Sequence, residues 1–302
     1  MSAASDAAAV GLDERYRTRS GTPMIGPYSV NQMDNFYTAL GCGEVKPTGV
    51  MNLAQRLYIA QRCRPDARVV DVCCGRGLQL PVLYRYAPHI ASYTGLDISP
   101  ANLTEARGML AQLDERHGGR PFNVALVEHD VARPWPQDNR SVDTEDYNIG
   151  GLDGGALDGG GFDVAVYTSA LEHLPRDLAV TSLLHTTAAL LPGGWLFLST
   201  PNTPGQPPRP LQHRVHVYEW NTEELVPVLQ RECGLVVEEQ VGLLSPGPDR
   251  LTEALSARYG LSAVQWYQRL RAAVPPALLD PVAAAAVPEV AAEVLYVCRR
   301  PR

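Results

Sequence analysis

The groups in this 302-residue sequence that could do chemistry near neutral pH are a few imidazoles and two carboxylates that end apolar runs. His173 lies in Leu171-Glu172-His173-Leu174, while His213 and His216 lie in the stretch His213 to Trp220. Histidine titrates closest to neutrality and is the side chain best tuned to remove a hydroxyl proton. His173 leads as candidate base, with His216 and His213 next, and each has an equally ordinary structural use. Asp71 opens Asp71-Val72-Cys73-Cys74-Gly75-Arg76-Gly77, directly behind the apolar run Ala67 to Val70. A strand breaking into a glycine turn lets the backbone approach a ligand closely. Asp97 closes the run Ala91 to Asp97, about 20 residues past Gly77, where an acid can accept both ribose hydroxyls.

That pattern fits a dinucleotide or an adenosyl-sulfonium cofactor. The dinucleotide fingerprint needs a third small residue at position 80, and Leu80 stands there, which disfavours NAD. The elements that must position these groups follow in order. A helix over Leu78 to Tyr86 leads to the Asp97 strand. A third strand runs from Val124 to Glu128 into His129-Asp130-Val131. A fourth, Phe162 to Tyr167, runs into Thr168-Ser169-Ala170-Leu171-Glu172-His173. A helix over Arg176 to Leu191 then meets Pro192-Gly193-Gly194 and a fifth strand, Trp195 to Thr200.

With these blocks in order, the sequence resembles the class I S-adenosylmethionine-dependent methyltransferases. Those proteins commonly show D-x-G-C-G-x-G, then G-x-D, then F-D-x-V ending in L-E-H-L, then L-x-P-G-G. The resemblance covers residues 65 to 200 firmly and extends more loosely to the C-terminus. It implies an α/β fold: a Rossmann-like, doubly wound, seven-stranded sheet of order 3-2-1-4-5-7-6. It implies S-adenosyl-L-methionine as cofactor, with S-adenosyl-L-homocysteine as product. It also implies that Asp71 and the backbone of Cys73, Cys74, Gly75 and Gly77 hold the methionyl end, while Asp97 binds the ribose. Ile98 packs on the adenine, Asp130 with Val131 meets its amino edge, and Thr168 lies near the sulfonium. One departure is Cys73, where the family has glycine; another small residue there is the simpler reading.

Composition bounds the partners. A net charge of -7 argues against a nucleic-acid backbone, and the chain has 45% apolar residues, enough for a sizeable core. Lys46 is the only lysine, and with abundant Ala, Gly and Pro this is the composition of a GC-rich bacterial genome. Six cysteines without a C-x-x-C pair or a histidine cluster at metal spacing read as free cytosolic thiols, and no metal is expected. Met1 to Ser20 lacks the apolar core of a signal peptide, and Pro288 and Glu289 interrupt the Ala-rich 282–297 stretch. A cytoplasmic protein with no membrane partner is expected; the oligomeric state is open, a homodimer being one outcome.

Three segments outside the cofactor core are expected to choose the acceptor. Residues 1–25 are expected as a disordered tail and 26–64 as an N-terminal helical cap, with Tyr28 to Tyr37 ahead of a helix near Met51 to Arg62. The methyltransferase domain is expected over 65–302. Within it, the acidic, glycine-dense 136–161 stretch reads as a flexible insertion. Its G-G-x-L-D-G-G repeat lacks the full nonapeptide frame of calcium sites. After the proline-laden Pro201 to Pro210 loop, His216, Glu219 and Trp220 match the H-x-x-E-[FW]-[ST] segment that opens a helix in many relatives, and Asn221 reads as its N-cap. A helical insert over 249–275 and a last strand over Glu293 to Arg299 complete the reading. The expected activity is methyl transfer to O, N or C of a small molecule, in bacterial secondary metabolism. The alternatives are an RNA or protein methyltransferase, or a cofactor-binding protein without methyl transfer.

Overall fold

The computed structural model describes residues 47–135 and 161–302. The expected tail, the Tyr28 to Tyr37 segment and residues 136–160 of the expected insertion lie outside the described residues.

Short apolar runs bounded by turn residues form β1 (Arg68–Val72), β2 (Ser92–Asp97), β3 (Asn123–Glu128) and β4 (Phe162–Thr168). They join β5 (Leu190–Pro201), β6 (Val236–Leu244) and β7 (Glu293–Arg299) in one sheet of order β3-β2-β1-β4-β5-β7-β6. This is the order that the resemblance implies. The first five strands are parallel, and β7 runs antiparallel to both β5 and β6. β5 is longer at its start than expected, because Pro192-Gly193-Gly194 lies within the strand.

Alternate residues of a strand face opposite sides. Val70 and Val72 therefore enter one apolar layer with Leu96, Leu198 and Trp220, while Val69 enters the other with Leu83, Tyr93 and Phe197. Asp71 shares the Val69 face, which carries its carboxylate into the second layer. That layer is covered by α1 (Pro47–Ala60), through Met51, Ile59 and Ala60, and by α2 (Leu80–Tyr86). α3 (Pro100–His117) begins where the Ser99 hydroxyl accepts from Asn102 N and ends at left-handed Gly118. α4 (Arg176–Ala189) covers the first layer through Ala179 and Leu183. α5 (Thr222–Pro227) starts at Asn221, whose side chain accepts from Glu224 N as expected of an N-cap.

The region read as one helical insert, 249–275, holds two helices, α6 (Pro248–Tyr259) and α7 (Leu261–Arg271), and a third, α8 (Pro276–Ala284), follows beyond its expected end. Gly260 divides the first two, and together they bury their own cluster of Leu251, Leu255, Val264, Tyr267, Leu279 and Val287. The turn after β1, Asp97 ending β2, and the 3-10 turn Leu171–His173 after β4 share the carboxyl edge of the parallel strands. Open α/β sheets bind ligands at that edge.

Candidate active site

Two groups of residues stand at this edge. The first is the turn after β1. Cys74 N donates to Leu96 O at 2.8 Å, and Gly75 N donates to Asp97 Oδ2 at 2.8 Å, so the turn is tied to the end of β2. Asp97 Oδ1 accepts from Ser99 N at 2.9 Å and from Asn102 Nδ2 at 3.2 Å. A carboxylate offers about four acceptor positions, and these donors fill three of them. Cys73, Gly75 and Gly77 have φ of 57°, 56° and 73°. At Gly75 a Cβ would meet nothing within 4 Å, so the left-handed backbone alone calls for glycine and the space above it is open. Cys73 adopts the same conformation with a side chain, at a strain on the order of 1 kcal/mol. Burial pushes its thiol up to about 12, so it stays neutral. Gly95 has a different reason: a Cβ there would lie 2.8 Å from Cys74 Sγ and 2.9 Å from Leu126 Cδ2.

Asp71 lies beneath the turn, accepting from Tyr93 Oη at 2.7 Å. Burial pushes its carboxyl up to about 7 against that hydrogen bond and the nearby Arg56 charge. Arg56, on α1, is a nearby charge that the sequence reading passed over; only its helix, not its nearness to Asp71, is visible in the sequence. Gln79 donates to Arg56 O at 3.3 Å, and its buried Oε1 has no donor among the described residues. Ile98, next to Asp97, is 67% exposed. Asp130 Oδ1 accepts from Ala132 N at 3.0 Å and Oδ2 lies 3.4 Å from Arg133 Nε; Val131 is buried. Thr168 ends β4 half-buried. Open space above a left-handed glycine, a buried acceptor without a donor, a strand-end acid and an exposed aliphatic side chain fit an adenosyl cofactor.

The second group gathers around the 3-10 turn after β4. Glu172, Glu219 and Glu293 are 2%, 1% and 7% exposed. Glu293 Oε1 accepts from Ser169 Oγ at 2.9 Å and Ser199 Oγ at 3.2 Å, and burial raises its pKa. Glu172 accepts from Thr200 Oγ1 at 3.1 Å; burial, with the Glu293 charge beside it, pushes it up to about 8. Burial would also raise Glu219, but bonds from Thr203 Oγ1, Gln212 N, His216 Nδ1 and His213 N hold it below the usual range. Around these acids the three expected histidines meet: the rings of His173 and His216 are 5.2 Å apart, and those of His213 and His216 are 5.3 Å apart. Glu219 and Trp220, matched to a relatives' motif, are both buried, and Glu219 knits the loop together.

A family model described as a methyltransferase domain matches residues 51–233. That is over half of the chain, which therefore belongs to the methyltransferase-domain family; its sheet order is that of the class I S-adenosylmethionine-dependent enzymes. The chain is similar to the ubiquinone biosynthesis O-methyltransferase of Xanthomonas campestris pv. campestris, 32% identical over 163 residues, which is 53% of this chain and 54% of that protein. It thus spans about half the length of the curated relatives it matches. Among solved structures, one similar chain is the O-methyltransferase from a trans-AT PKS multienzyme of Brevibacillus brevis, in complex with S-adenosyl-L-homocysteine. It has a TM-score of 0.51 and 16% identity, over 90% of this chain and 77% of that one. The [4+2]-cyclase SpnF is similar at a TM-score of 0.50 and 16% identity, over 83% of this chain and 81% of its own. At such identities these likenesses speak to the fold alone.

Proposed function

We propose that this chain transfers the methyl group of S-adenosylmethionine to a small-molecule acceptor, with a hydroxyl oxygen as the first candidate and nitrogen or carbon behind it. The observation that carries the reading is the Gly75 N to Asp97 bond, which sets a left-handed backbone turn against the acid ending β2. In this reading the backbone from Cys73 to Gly77, with Asp71 beneath it, holds the methionyl end. Asp97 takes the ribose, Ile98 covers the adenine, Asp130 and Val131 meet its amino edge, and Thr168 lies toward the sulfonium. The cofactor supplies a methyl group already activated on sulfur. The chain's own task is to align acceptor and donor and to exclude water. With a hydroxyl acceptor, the proton falls to the cluster of Glu172, His173 and His216 at the same strand edge.

A net charge of -7 supports a small molecule over RNA. That a similar protein is a ubiquinone biosynthesis O-methyltransferase supports oxygen as the accepting atom and a biosynthetic setting. The test is incubation with methyl-labelled cofactor and a panel of hydroxylated metabolites. Label in a metabolite with matching S-adenosylhomocysteine supports the proposal. Label in RNA or protein overturns the acceptor class, and bound cofactor without turnover across the panel overturns methyl transfer.

A further inference from the structure

The geometry points to a divalent transition-metal site formed by Glu172, His173 and His216. One ligand atom from each of the three lies within 4.8 Å of the other two. The tautomers are set by the neighbours. His173 Nδ1 faces the Val215 carbonyl at 3.3 Å, which can only accept, so the proton is on Nδ1 and the Nε2 lone pair is open. His216 Nδ1 donates to the Glu219 carboxylate, which leaves its Nε2 open in the same way. Metal-binding histidines are characteristically held like this, with an outer carboxylate or carbonyl on the second ring nitrogen fixing ring and tautomer. His213 is wired in the opposite sense. Its Nδ1 accepts from Val215 N at 3.4 Å, so the neutral ring carries its proton on Nε2 and stays outside the ligand set.

Charge gives an independent argument. Glu172 and Glu293 are both buried at this place, and among the described residues no Arg or Lys side chain pairs with either. Buried carboxylates are costly unless a cation or several donors compensate them. His173 is exposed, which gives an ion a path from solvent. Two imidazoles and one carboxylate suit Zn²⁺, Fe²⁺, Co²⁺ or Mn²⁺, whereas Mg²⁺ and Ca²⁺ take mainly oxygen ligands. Three protein ligands leave positions for water or, where the methyltransfer reading holds, for an oxygen of the acceptor. Only that last clause rests on the methyltransfer reading.

The test uses the untagged full chain, stripped with EDTA and titrated with Co²⁺ as a spectroscopic substitute for Zn²⁺, with neither cofactor nor acceptor present. One equivalent should bind with visible d–d absorption and be displaced by Zn²⁺. Replacing both histidines (His173→Ala with His216→Ala) should weaken Co²⁺ binding by about 100-fold or more, and Glu219→Gln by about 10- to 100-fold. Circular dichroism checks that each variant folds; single His173→Gln and His216→Gln changes replace the double variant if it does not. Absence of the one-equivalent spectrum, equal affinity in the variants, or near-ultraviolet thiolate charge-transfer bands would overturn the site. Loss of methyl transfer with Co²⁺ binding intact would instead break only the functional reading.

Discussion

The turn after β1 and the histidine cluster after β4 sit at the same edge of one sheet but are built in different ways. The turn is made of backbone: its geometry follows from left-handed residues at 73, 75 and 77 and from one acid twenty-odd positions later. The cluster is made of side chains from two remote stretches, the 3-10 turn at Leu171–His173 and the loop from Thr203 to Trp220, knitted by Glu219. Backbone sites are written in local sequence; side-chain clusters are written in packing. Damage should therefore have different consequences in the two places.

The largest effect is expected from Trp220→Ala. The ring is fully buried in the first core layer beneath the histidine loop, and truncating such a side chain costs about 3–5 kcal/mol. Chemical denaturation measures it, and a loss below about 1 kcal/mol would mean that the loop is not anchored there. Next comes pH. Asp71 has a folded-state pKa of about 7, above the ordinary carboxylate value of 3.8, so it contributes stability below about pH 4 that is lost as pH rises through 7. Asp71→Asn should remove that loss: relative to wild type, the variant should gain on the order of 3 kcal/mol between pH 4 and pH 8. A constant difference across that range would show that the buried carboxyl does not titrate there.

Asp97→Ala addresses the backbone site directly. Calorimetric titration with S-adenosylhomocysteine should show a loss of at least about 1.5 kcal/mol, the scale of hydrogen bonds to a charged group; unchanged affinity would remove Asp97 from the ribose contact. The smallest effect is expected from Arg176→Ala. Its guanidinium lies 3.1 Å from Glu224 with half of the side chain exposed, so thermal stability should change by no more than about 1 kcal/mol. A greater loss would give weight to its position 5.4 Å above the Trp220 ring.

The strands were legible because each is a short apolar run ended by turn residues, and the order of the sheet followed from the family resemblance. The helix at Asn221 was legible because its cap is local. The nearness of the Arg56 charge to Asp71 was not, since a helix position says nothing of which strand residue it lies near. Nor was the meeting of His173 with His216 beside Glu172: each imidazole was a candidate alone, but no spacing along the chain predicts that a loop returns to a 3-10 turn. The expected insert over 249–275 spans α6 and α7, which Gly260 divides, and α8 lies beyond its expected end, behind Pro275.

The bonds already held by Asp97 have a thermodynamic consequence. An incoming pair of hydroxyls finds a carboxylate engaged by Gly75, Ser99 and Asn102, so one can take the remaining acceptor position while the second must trade places with a donor already there. Such an exchange should release little heat at this contact, and its free energy should come mainly from a pocket held in shape beforehand. It also makes the Gly75 amide a reporter. In a proton–nitrogen correlation spectrum its resonance should move on titration with adenosine and move less with adenine, which lacks the ribose hydroxyls.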